Sequence, residues 1–173
     1  EVELPGDSRP SSSGTVAADV AQTLEGRPFA LCLGEVRRNK GIENAIRAAG
    51  LSGTNLVVAG APEDEEYERS LTQLAASSGV FCILRFLSDA EYSALLAGAN
   101  VVVLPYISFG AQSGVLAHAM QRSKRVIATD LVALKEQARG YSQVRYAPVG
   151  DTEQVAEALA REGADAERAV LVG

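Results

Sequence analysis

Metal-ligating and disulfide-forming side chains are scarce in this sequence, with one histidine and two cysteines among 173 residues. Cys32 and Cys82 lie far apart, each inside an apolar strand-like run, with no Cys-x-x-Cys or Cys/His pair near either. A disulfide-stapled scaffold and a zinc site therefore have no support, and both cysteines read as buried free thiols suited to a reducing cytoplasm. Apolar runs stay at strand length, well short of the roughly 20 residues that a membrane-spanning helix needs. Positive charge is not in excess: 16 lysines and arginines face 22 aspartates and glutamates, for a net charge of −6. No global field then draws nucleic acid or anionic lipid. Glu1 to Gly14 has no charged-then-apolar leader, so nothing there argues for export. Neither a Gly-x-Gly-x-x-Gly fingerprint nor a P-loop occurs, which leaves dinucleotide and Walker-type sites without support.

What is present is apolar mass. At 47% hydrophobic residues the chain can bury the core of one domain. The stretch Pro5 to Gly14 has linker composition, so 1–14 reads as a lead-in or interdomain linker and 15–173 as a single domain. Thr15 to Leu24 suits a short helix with Val16, Val20 and Leu24 on one face. A regular alternation follows. Strands are expected at Phe29 to Leu33, Leu56 to Ala59, Val80 to Phe86, Val101 to Leu104, Val126 to Ala128 and near Val144 to Tyr146. Helices are expected at Gly41 to Ala49, Glu63 to Ser78, from Ser88 or Asp89 with Tyr92, Leu95 and Leu96 inward, Val115 to Met120, Val132 to Arg139, and Thr152 to Arg161. Strands and helices alternating at this spacing imply right-handed crossovers and an α/β, Rossmann-like three-layer sandwich with a mostly parallel sheet of about six strands. Such sheets bind ligands beyond the carboxyl ends of their strands, so the loops after strands one, two and four are the site candidates.

Two of those loops carry suitable chemistry. After strand one, Gly34 opens a turn holding Arg37, Arg38 and Lys40 just before a helix, a local trap for an anion unless it is merely a solvated basic loop. After strand four, Gly110 to Gly114 is a small-residue turn in which Ser113 suits the N-cap of the following helix. Free N–H groups and the positive dipole end favour a phosphate there, though the same residues also suit an ordinary strand-to-helix turn. The acids Glu63 to Glu66 are explained by a helix N-terminus, and Asp89 with Glu91 by a cap and first turn. His118, mid-helix and without a nucleophile beside it, reads on its own as structural.

Taken in order, Leu31 to Ala48, Leu56 to Pro62, Ile83 to Tyr106, Gln112 to Met120 and Val126 to Asp130 resemble the C-terminal domain of family 4 retaining glycosyltransferases of the GT-B fold. The resemblance covers about Phe29 to Arg161 and implies the half that binds a nucleotide-sugar donor, UDP- or GDP-linked. It implies catalytic roles for Lys40 and Arg37 in neutralising the donor diphosphate, with neither metal nor other cofactor needed. Gly34, Gln112, Ser113, Gly114 and His118 become donor-binding residues, and the amides of Ser113 and Gly114 would meet the diphosphate. The pattern is not fully kept. Glu35 stands where an arginine usually follows the glycine, and Ser123-Lys124-Arg125 replaces the usual Gly-x-Pro. Gly110 and His118 occupy the two positions of the family's glutamates, where a neutral imidazole could accept from a ribose hydroxyl. The implied partners are a nucleotide sugar and an N-terminal GT-B domain absent from these residues, without nucleic acid. The implied setting is cytoplasmic, with membrane association open through that other domain. A scaffolding domain that has lost its donor, and half of a nucleotide-sugar epimerase, stay open as alternatives.

Overall fold

Six short apolar runs form the strands β1 (Ala30–Leu33), β2 (Leu56–Ala59), β3 (Phe81–Ile83), β4 (Val101–Leu104), β5 (Val126–Thr129) and β6 (Val144–Ala147). The computed structural model describes residues 16–173, so the expected lead-in over 1–14, and Thr15, fall outside the described residues. Every strand pairing is parallel, in the order β3-β2-β1-β4-β5-β6. Helix α1 (Ala18–Glu25) precedes β1, α2 (Ile42–Ser52), α3 (Glu65–Ser78), α4 (Asp89–Gly98), α5 (Gly114–Gln121) and α6 (Val132–Gln137) connect successive strands, and α7 (Thr152–Val172) follows β6. The α/β Rossmann-like architecture is thus as the alternation implies.

Central strands are buried on both faces, which is why they read as unbroken apolar runs rather than as alternating ones. Ala30 and Cys32 of β1 join the core beneath α2, α3 and α7, where Ile46, Leu71 and Leu159 are fully covered. Leu31 and Leu33 point the other way, into a second core with Val20, Leu95, Leu116 and Leu134. The strand order reverses between β1, whose next neighbour in sequence is β2, and β4 on its other side. Connections leaving β1 and β4 therefore diverge, and a crevice opens at their carboxyl ends.

Three elements differ from expectation. β3 spans only Phe81–Ile83, because as an edge strand it pairs with β2 alone; Phe86, beyond its end, is 87% exposed. α7 continues past Arg161 to Val172. Its extension is tied down by Arg125, whose guanidinium donates to Glu162 at 3.0 Å and Asp165 at 3.4 Å, a pairing far from local in sequence. Leu24 is partly exposed rather than buried beside Val20. Tyr92 is only half-buried, though it packs against the core that holds Leu95 and Leu96 as expected. Cys32 is a buried free thiol, pushed up to about 12 by burial, whereas Cys82 is free but only partly covered.

Candidate functional site

The crevice at the switch point is a cleft of about 390 Å³. One wall comes from the loop after β1 and the other from the loop after β4 together with the first turns of α5. Arg37, Lys40, Gln112, Ser113, Gly114 and His118, all expected at the site, line it together. Gly34 lies beneath it. With φ at +104° and any Cβ only 2.9 Å from Val115 Cγ2, it lets the end of β1 pass tight under α5. A larger groove of about 440 Å³ opens at the amino ends of β1, β2 and β4. That end of a parallel sheet offers no helix N-termini, and the groove carries no comparable arrangement.

The basic loop is divided by its partners. Arg38 turns away from the cleft, donating to Asp64 Oδ2 at 2.7 Å and to Glu63, with its guanidinium 4.8 Å from the Tyr67 ring centroid. Glu63 and Asp64 are therefore more than dipole partners of α3, although Asp64 also caps that helix by accepting from the Tyr67 N–H at 2.7 Å. Arg37 stays at the cleft, paired to Glu35 at 2.7 Å with both side chains more than half exposed. Lys40 is half-buried, its ammonium 5.5 Å from the Tyr106 ring centroid. Burial holds this amine below its usual 10.5, with Glu35 opposing the shift and Arg37 adding to it. It has no ion-pair partner among the described residues, so its charge is the one most in want of an anion.

Asn39 joins the two walls. Its carbonyl accepts from the N–H groups of Ile107 at 2.9 Å and Ser108 at 3.3 Å, and its side-chain amide donates to the Ser108 carbonyl at 3.1 Å. Gly41 completes the contact: at φ +62° its Cβ position lies 2.1 Å from the Pro105 carbonyl oxygen, so a side chain there would force the walls apart.

The turn before α5 is held from α6. Gln137 accepts from the Ser113 N–H at 2.8 Å and donates to the Ser113 carbonyl at 2.8 Å. The Ser113 hydroxyl, in turn, caps α5 by accepting from the Leu116 N–H at 3.1 Å, with the Tyr106 hydroxyl 3.3 Å away. The Ser113 amide is thus already committed, contrary to the expectation that it meets a ligand. The unpaired amides of this helix start, among the described residues, are those of Gly114 and Val115. Gly110 is exposed and a Cβ there would meet nothing within 4 Å. His118 Nδ1 lies 2.9 Å from the Tyr92 hydroxyl.

Gln137, Tyr106, Tyr92 and Asn39 were not legible as site residues. Gln137 carries no local signal, being 24 residues from its partner. Among the described residues no cluster of three or more histidines, cysteines or acids could hold a metal ion, and no helix is long and apolar enough to cross a membrane.

This fold is matched in other proteins. A sucrose-phosphate synthase from Thermosynechococcus elongatus superposes with a TM-score of 0.67 at 22% identity, over 88% of this chain and 44% of its own. The C-terminal domain of the glycosyl transferase group 1 family protein LpcC from Francisella tularensis gives 0.64 at 19%, over 86% of this chain and 88% of that one. Anabaena HepE, solved in complex with UDP, gives 0.66 at 17%, over 89% and 49%. The chain thus spans about half the length of the first and third, and at these identities the likeness establishes the fold. No curated protein matches the chain. The family described as glycosyl transferases group 1 matches residues 18–169. With that match covering nearly all of the described fold, the chain belongs to the glycosyl transferases group 1 family.

Proposed function

We propose that the chain is the donor-binding half of a nucleotide-sugar-dependent, family 4 retaining glycosyltransferase, with residues 15–173 forming that domain. The observation that carries this reading is the convergence of the half-buried, unpaired Lys40 amine and the free Gly114 and Val115 amides on one cleft at the switch point. A diphosphate suits these groups. As the bond from the anomeric carbon to the diphosphate oxygen breaks, charge builds on that oxygen; Lys40 and Arg37 would stabilise it while the acceptor oxygen bonds to the anomeric carbon and its proton passes to the departing diphosphate. No metal is required for that electrostatic role. Structures of HepE hold UDP, and UDP with glucose, which supports the uridine member of the UDP- or GDP-linked pair as the ligand.

The acceptor and the complete reaction need a second domain. Two facts support this: the chain spans about half of several relatives, and Phe86, Ile107 and Val132 stand 87%, 50% and 70% exposed beyond the carboxyl ends of β3, β4 and β5. A cytoplasmic setting agrees with the free thiols of Cys32 and Cys82. The absence of carboxylates at Gly110 and His118 favours one rival, a domain kept for interaction without donor affinity.

Calorimetric titration with UDP, GDP and their sugars separates the two. Lys40→Ala is expected to weaken nucleotide binding about tenfold or more, the scale of a charge-assisted hydrogen bond. Absence of binding to every nucleotide at millimolar concentration would overturn the donor-domain reading.

A further inference from the structure

His118 offers the cleft a different chemistry from the carboxylate whose position it takes. Its Nδ1 lies 2.9 Å from the Tyr92 hydroxyl, and the two rings meet edge to face, centroids 5.4 Å apart at 84°. The phenol is the stronger acid and the imidazole nitrogen the stronger base, so the O–H donates and Nδ1 accepts. Burial pushes the Tyr92 phenol up, with Arg122 partly opposing, which keeps that proton on oxygen. The hydroxyl has no other hydrogen-bond partner among the described residues. A neutral imidazole that accepts at Nδ1 carries its proton on Nε2.

We infer that Tyr92 is a positioning residue that fixes His118 as an Nε2–H donor, so that this part of the cleft binds an acceptor oxygen of the nucleoside diphosphate sugar rather than the hydroxyl protons of a ribose. The inference rests on the nucleotide-sugar reading above and deepens it. Gly114 and His118 are four residues apart on α5, one turn along the same face, so an anion seated on the Gly114 and Val115 amides lies next to the imidazole. With Lys40, Gln112 and these amides, the wall becomes one of donors; the carboxylate of Glu35 is held by Arg37 at 2.7 Å. The expectation that His118 accepts from a ribose hydroxyl is thereby reversed.

Three variants of the 173-residue chain, titrated with UDP, test this. His118→Ala is expected to lose about tenfold in affinity, and Tyr92→Phe a smaller, severalfold amount. His118→Glu, an acceptor in place of a donor, is expected to bind more weakly than His118→Ala. Because the chain has one histidine, its imidazole nitrogens can be read without ambiguity. At alkaline pH the nitrogen-15 spectrum of the wild type should show a pyridine-like Nδ1 and a pyrrole-like Nε2, with UDP shifting Nε2. In Tyr92→Phe the two signals should move toward the mixture of a free imidazole. The inference is overturned if His118→Glu binds UDP at least as tightly as the wild type, if His118→Ala binds unchanged, or if Nδ1 proves pyrrole-like. A wild type that binds no nucleotide brings down the donor-domain reading itself, a distinct result from wild-type binding that His118→Glu preserves.

Discussion

Gln137 holds Ser113 by both backbone groups, and this decides which amides of the helix start are free. Replacing it with methionine keeps the bulk but leaves the Ser113 N–H without a partner. The expected loss is about 1–3 kcal/mol in urea denaturation, together with weaker nucleotide binding as the Gly114 amide loses its fixed direction. Unchanged binding in a folded Gln137→Met protein would show that the clamp does not orient the site. Glu91 is the other residue whose surroundings make a measurable claim. Hydrogen bonds from Arg85 hold its carboxyl down at about 2 against the usual 4.5, with burial opposing and Ser88 adding to the shift. The folded state thus binds its proton less readily than the unfolded chain. The stability contributed by Glu91 is present above pH 4.5 and is lost as pH falls toward about 2. The stability gap between wild type and Glu91→Gln should therefore close over that window when denaturation midpoints are compared.

At the scale of elements, the β4–α5–β5 unit carries both the site and some strain. Ser113 caps its helix at one end; at the other, Ser123 adopts φ +53°, a left-handed conformation that favours glycine. Lys124 braces this turn by donating to the Ala97 and Ala99 carbonyls at the end of α4. Ser123→Gly should relieve the left-handed cost and raise the melting temperature by the equivalent of about 1 kcal/mol. A lower melting temperature would mean that the serine makes a compensating contact. The caps at Ser88 and Ser113 were readable in advance because they depend on a residue and the few that follow: each accepts from an N–H three residues on. The length of α7 was not, because what holds its far half is Arg125, on another element.

On the scale of the whole molecule, a parallel sheet with helices on both faces places a cleft at the switch point, and on the proposed donor-binding reading that is only half of the surroundings that a transfer reaction needs. The 173-residue chain alone is expected to bind a nucleotide sugar without moving the sugar to an acceptor. Steady release of free nucleotide above the enzyme-free rate, in the presence of acceptor hydroxyls, would contradict this. The sequence by itself determined the α/β alternation, the buried strands and the two loops that line the cleft, because apolar period, glycine and capping chemistry act over a few residues. It also marked Lys40 and Gly114, which sit in local strand-to-helix turns. Tertiary packing alone sends Arg38 away from the site to Glu63 and Asp64, places Gln137 on the Ser113 amide, and brings the Tyr92 hydroxyl to His118. Each of those choices joins residues 24 to 26 positions apart. Such partners are chosen by how the helices settle on the sheet, which no local pattern encodes.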